Sequence, residues 1–209
     1  MSVTLYSEAL TQPSTRLLVR FADGTLRELP VQQWCDPADA ADQALLARAT
    51  GPTLDVGCGP GRLTAALSAR GVLALGIDIA PAAVRLARER GATALLRSVF
   101  GPVPAAGRWA HALLADGNVG IGGDPVALLS RVRDLLEPAG LTHVELGAPG
   151  GPCGATPARL ESAAGAGAWF PWAHLTVDGL PTVAAAADLQ VREVWSAGDR
   201  WFADLATRG

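Results

Sequence analysis

Between residues 52 and 146 short apolar runs alternate with segments of helical period, and this alternation narrows the possible folds more than any other feature of the chain. Residues 52–56, 72–77, 92–96, 109–115 and 141–146 read as strands. Residues 63–69 and 81–90 read as helices, as does a segment that Asp124-Pro125 opens and that Pro138 and Gly140 stop after Leu136. A strand joined to a parallel neighbour needs a crossover, normally a helix that covers one face of the sheet. The expectation is therefore an α/β fold, a mostly parallel sheet with helices on both faces.

The flanking segments follow other rules. Leu17, Leu18, Val19 and Phe21 precede Asp23-Gly24, and Leu26, Leu29 and Val31 follow it, which predicts a hairpin over residues 15–31. Asp36-Pro37 is expected to open a helix, with Asp36 as N-cap and Asp39 in the first turn, running through Leu45 and Leu46 to about Gly51. Residues 147–167 are rich in Gly, Pro and Ala and read as a loop with one short helix around Arg159. Residues 180–187 read as a helix, and 190–196 and 200–205 as a hairpin turned by Ala197-Gly198-Asp199. A length of 209 residues suits one domain. Within it, 1–50 would form an N-terminal hairpin and helix cap, 51–146 the core, 147–179 an insertion, and 180–209 the terminal helix and hairpin.

Composition excludes several functions. The formal net charge is -3, and all 17 basic residues are Arg with no run among them, so no nucleic-acid footprint is expected. Cys35, Cys58 and Cys153 lie far apart and form no C-x-x-C pair, which argues against a disulfide framework and against a zinc or other metal site. No stretch is apolar enough to span a bilayer and no secretory leader is visible, so the expected setting is a reducing cytoplasm, without membrane attachment.

The strongest local signal is Leu54-Asp55-Val56-Gly57-Cys58-Gly59-Pro60-Gly61-Arg62, between a strand and a helix. Glycines there permit a tight turn and close approach of backbone to a ligand, and the helix start offers free N–H groups. Dinucleotide sites use G-x-G-x-x-G, but position 62 is Arg; a phosphate-binding P-loop needs a Lys, which the chain lacks. Asp78 ends Leu75-Gly76-Ile77-Asp78, about 20 residues beyond the loop, where a carboxylate can accept from both ribose hydroxyls. The same residue could instead cap the helix that Pro81 begins.

Taken together, these residues resemble the class I S-adenosylmethionine (SAM)-dependent methyltransferases, over about residues 50–146 and, through the terminal hairpin, to about 205. The resemblance implies a Rossmann-like sheet of seven strands with one antiparallel strand near its edge, and SAM as cofactor. It implies that the backbone of Gly57, Cys58, Gly59, Pro60 and Gly61 holds the methionine part, with Asp55 linked to its amino group through water. Asp78 and Ile79 would take the ribose. Ser98, Val99 and Phe100 would flank adenine, Ser98 standing where the family usually has Asp. Ala115, Asp116 and Gly117 would contact the methionine end.

The acceptor side is less defined. Tyr6, Trp34, Asn118, Trp169, Phe170 and Trp172 are candidates for its wall, and His174, Asn118 and Glu145 for catalytic groups, although catalysis by proximity alone is the favoured expectation. His111 and His143 read as packed core. The expected function is methyl transfer to a small-molecule acceptor, in specialised metabolism. A non-catalytic SAM-binding partner protein and a nucleic-acid or protein methyltransferase are the alternatives. Enzymes that methylate base amino groups often carry N/D-P-P-Y/F, where this chain has Asp116-Gly117-Asn118-Val119.

Overall fold

A computed structural model describes residues 2–12 and 14–208; Met1 and Gly209, the outermost residues of the expected cap and terminal segment, lie outside them. Among the described residues the chain forms two sheets. The larger contains β3 (Thr53–Val56), β4 (Ala74–Asp78), β5 (Ala94–Leu96), β6 (Trp109–Leu114), β7 (Leu136–Leu146), β11 (Leu189–Ala197) and β12 (Arg200–Thr207), in the order β11-β12-β7-β6-β3-β4-β5. From β5 to β7 neighbours are parallel; β12 runs antiparallel to both β7 and β11. This is the expected seven-stranded sheet with one reversed strand next to its edge. Every residue of β3 and β4 is buried, because helices cover both faces, and hence these strands show no alternation in the sequence.

The helices of the core are α4 (Arg62–Ala69), α5 (Pro81–Glu89), α6 (Pro125–Arg133) and α7 (Leu180–Ala186). Asp124 caps α6 by accepting from Ala127 N–H, with Pro125 at the first turn. That helix ends earlier than expected. Leu136 already pairs with Trp109, so Pro138 and Gly140 fall inside an irregular start of β7.

The cap holds more than was expected. α1 (Val3–Thr11) and α2 (Val31–Cys35) flank the hairpin of β1 (Leu18–Phe21) and β2 (Leu26–Glu28). The next helix, α3 (Ala40–Leu46), starts at Asp39 rather than Asp36. Asp39 accepts from Asp42 N–H while Asp42 accepts from Asp39 N–H, a reciprocal cap that the Asp36-Pro37 signal lacks.

The largest departure is residues 147–167. Instead of a loop and a short helix they contribute β8 (Gly154–Ser162) and the two-residue β9 (Gly165–Ala166), followed by β10 (Phe170–His174). These join β1 and β2 in a second, antiparallel sheet of order β10-β8-β1-β2, with β9 on β8. Arg159, expected on a helix, stands opposite Arg20 in β1. Gly, Pro and Ala have poor strand propensity, and here pairing with β1 and β10 overrides it. Leu5, Leu10, Val19, Phe21 and Leu160 pack with Ala80, the N-cap of α5, and Ala83 within that helix into one cluster. The small sheet and α1 are thereby held over the carboxyl ends of β3 and β4, where ligands bind in open α/β sheets.

Candidate functional site

At the end of β3, Gly57, Gly59 and Gly61 have φ of 74°, 52° and 81°, in the left-handed region. They serve different ends. A Cβ on Gly61 would stand 2.7 Å from Ala87 Cβ, so this glycine lets α5 pack against the loop. A Cβ on Gly59 would meet only the Tyr6 hydroxyl, at 3.3 Å, across a cavity.

Side chains from four places pin this loop. Asp78 Oδ2 accepts from Gly59 N–H at 3.0 Å, and its Oδ1 accepts from Ala80 N–H at 2.8 Å. The Asn118 amide donates to Val56 O at 3.0 Å and to Gly57 O at 2.9 Å. Asp55 Oδ2 accepts from the Thr64 hydroxyl at 2.6 Å, fastening the strand to α4. Burial pushes the Asp55 carboxyl up to about 7, and raises Asp78 as well. Gly57 and Cys58 N–H both donate to Ile77 O.

Above the loop lies a cavity of about 640 Å³. Of the residues that the sequence offers for the cofactor, Asp55, Gly57, Cys58, Gly59, Pro60, Asp78, Ile79, Ser98, Val99, Phe100, Ala115, Asp116 and Gly117 line it; Gly61 does not. Of those offered for the acceptor, Tyr6, Trp34, Asn118, Phe170 and Trp172 line it. Tyr6 stands edge-on to Trp34 with ring centroids 6.1 Å apart, and burial raises its hydroxyl well above the ordinary value.

Several candidates need correction. Trp169 is exposed, lies outside the cavity wall and carries the Arg159 guanidinium on its ring at 4.9 Å. Glu145, offered as a catalytic group, does not line this cavity. Both its oxygens accept from Arg200 at 2.8 Å, and Oε2 also accepts from Asp116 N–H at 2.6 Å, so it is committed to positioning the turn after β6. Asn118 faces the cavity, but its amide hydrogens are spent on the glycine loop. Burial raises the Cys58 thiol, which keeps it protonated.

His174, at the end of β10, does reach the cavity. It packs edge-on to Phe21 with centroids 4.8 Å apart, and burial, then the nearby Arg27, hold its ring below the ordinary histidine range, so it is neutral near pH 7. His111 and His143 are buried in the sheet as expected, joined at 3.0 Å, with His143 bonded to Asp204 at 2.7 Å.

Sequence reasoning missed two groups. Val19, Phe21 and Leu160, with Arg27, supply the cavity wall from the second sheet. Arg62, though buried, pairs with Asp42 and with Asp116 at 2.7 Å, while Arg200 joins Asp42 and Glu145 at 2.8 Å each. This cage ties the cap, the glycine loop and the terminal hairpin together. Its one local signal is Arg62 directly behind the motif; the partners come from positions 42, 116, 145 and 200.

The fold has counterparts among known proteins. A family described as methyltransferase domain matches residues 53–140. No curated protein matches. A structure of a SAM-dependent methyltransferase from Bacteroides fragilis, in complex with S-adenosyl-L-homocysteine, superposes with a TM-score of 0.81 at 22% identity, covering 98% of this chain and 93% of that one. A 1,6-didemethyltoxoflavin-N1-methyltransferase from Burkholderia thailandensis, solved with 1,6-didemethyltoxoflavin and S-adenosylhomocysteine, reaches 0.60 at 21% identity, covering 84% and 81%. No helix among the described residues is long and apolar enough to cross a membrane.

Proposed function

We propose that the chain binds SAM along the glycine loop and methylates a small-molecule acceptor held under the second sheet; the match of residues 53–140 to a family described as methyltransferase domain supports the first half of this reading. The observation that carries this reading is the division of one cavity into two unlike walls. One is backbone and carboxylate from the strand ends; the other is apolar and aromatic, the usual make-up of a small-ligand site.

The residues present fit the cofactor. The loop leaves Gly59 with no side chain toward the cavity, and Asp78 reaches the wall with lone pairs remaining for ribose hydroxyls after its two backbone bonds. Ile79, Val99 and Phe100 offer apolar surface for the adenine, and Asp116 and Gly117 lie at the methionine end. SAM supplies a methyl group already activated by its sulfonium, so the protein needs chiefly to orient the acceptor and exclude water. Trp34, Phe170 and Trp172 perform that exclusion from the cap side. A neutral His174 can take a proton from an acceptor that must lose one.

The three cysteines are free, which suits a cytoplasmic setting. The test is incubation with isotope-labelled SAM and separated metabolite, protein and RNA fractions of a lysate. The reading predicts label in a small metabolite; label confined to protein or RNA would overturn it.

A further inference from the structure

The acceptor half of the cavity has an uneven charge inventory. Every carboxylate on the cavity wall is already engaged. Asp55 accepts from Thr64, Asp78 from two backbone N–H groups, and Asp116 from Arg62. Glu28, the one acid the second sheet contributes, is bonded by Arg16 at 2.6 Å. A cationic acceptor would find no open carboxylate there, and its buried charge would go unpaired.

The cations are arranged differently. Among the described residues two arginines on the wall, Arg27 and Arg97, make no side-chain hydrogen bond or ion pair. Arg97 follows β5, next to Ser98, and so belongs to the cofactor half. Arg27 lies on β2 in the cap. Its guanidinium stands 5.9 Å from the Phe21 ring, and Phe21 stands 4.8 Å from His174. The nearby imidazole, being neutral, adds no second positive charge. Phe170 and Trp172, edge-on with centroids 6.1 Å apart, form the neighbouring wall. The niche therefore combines aromatic faces and edges with one cation that no hydrogen bond or ion pair holds; Asp23, at the hairpin turn, acts on it only through space, and its planar fork suits a carboxylate or another delocalised anion.

We infer that the acceptor is a planar aromatic molecule bearing an anionic group, with its ring against Phe21, Phe170 and Trp172 and its anion on Arg27. This rests on the methyltransferase reading and specifies the acceptor class for the same site. It makes Arg27 a specificity-determining residue, acting on which acceptors enter rather than on the methyl group.

The test measures binding, not turnover. Matched triples of one- and two-ring aromatics (benzoate, benzamide and benzylammonium; 2-naphthoate, 2-naphthamide and 2-naphthylmethylammonium) are titrated into the protein with and without S-adenosylhomocysteine. Calorimetry and the fluorescence of the wall tryptophans report binding. The carboxylate should bind about five- to tenfold more tightly than the amide, and the ammonium most weakly. Arg27→Gln should collapse the carboxylate preference to about twofold or less, Arg27→Lys should keep part of it, and Arg97→Gln should leave it intact. Arg27 is exposed and holds no other group, so the Gln variant should melt with the wild type. Preference for the ammonium, no carboxylate binding at millimolar concentration, or a preference lost through Arg97 rather than Arg27 would each overturn the inference. Failure of S-adenosylhomocysteine to bind would instead strike the cofactor reading, since the charge preference can be read without it.

Discussion

The two walls of the cavity were made by different kinds of information. The strand-end wall comes from contiguous sequence: Asp55 to Gly61 in one run, Asp78 at the end of the next strand, Ala115 to Asn118 after the fourth. The cap wall is assembled from α1, β1, β2, α2, β8 and β10, segments up to about 170 residues apart (Tyr6 against His174). The first wall is pinned by short hydrogen bonds to backbone, the second by apolar packing onto Ala80 and Ala83. A wall that holds one cofactor can be encoded as a motif. A wall that selects an acceptor is a product of tertiary pairing and can vary without disturbing the loop.

The most damaging way to challenge this contrast is within the loop itself. Gly61→Val places a β-branched side chain at positive φ and into Ala87, and should cost about 3 kcal/mol or more of stability in urea titrations. Gly59→Ala, one turn of the motif earlier, should cost only about 1 kcal/mol while damaging cofactor binding. Equal stability losses would mean that both glycines are packing residues.

Next in size is Asp78→Ala. Loss of charge-assisted bonds at about 1.5–3 kcal/mol each should weaken S-adenosylhomocysteine at least tenfold by calorimetry. A sharp drop in Tm with unchanged affinity would make Asp78 a fastening for the loop and nothing more. On the opposite wall, Trp172→Ala should raise acceptor KM about tenfold and leave S-adenosylhomocysteine affinity unchanged. If both affinities fall together, the two walls are not separable.

The smallest effect is one of pH. Asp55 has its folded pKa raised to about 7, so the folded state keeps a proton that the unfolded state loses, and its stabilising contribution declines as pH rises from about 4 to 7. His111, lowered by burial to about 4, acts in the opposite sense: stability is lost as pH falls from about 6.5 to 4. The two slopes overlap and offset each other in the wild type. Relative to it, Asp55→Asn should gain stability between pH 4 and 7, and His111→Gln should lose it. Chemical denaturation across that range checks both signs.

The sequence made the parallel core legible because burial on both faces leaves uninterrupted apolar runs, as in Leu75 to Ile77, with Gly and Pro between them. The capped start of α6 at Asp124-Pro125 was legible for the same local reason. β8 was not, since its inward residues Ala158 and Leu160 are separated by Arg159 in a stretch of small residues, and only pairing with β1 makes it a strand. Among site residues, Glu145 and Asn118 looked chemically available because nothing in the sequence reveals that Arg200 and the loop carbonyls occupy them. Arg27 went unnoticed because an exposed arginine beside a hairpin turn is ordinary until the fold brings it next to Phe21 and His174.

Whether the glycine loop is the floor of a SAM site beneath a separate acceptor wall can be measured by titrating S-adenosylhomocysteine into the wild type and Gly59→Leu by calorimetry, with NAD as the control ligand. The expected result is one-to-one binding to the wild type, no binding of NAD, and loss of S-adenosylhomocysteine binding in a variant that still unfolds cooperatively, because the added side chain enters the cavity toward Tyr6. Undiminished binding to Gly59→Leu, or tight binding of NAD in place of S-adenosylhomocysteine, would contradict it.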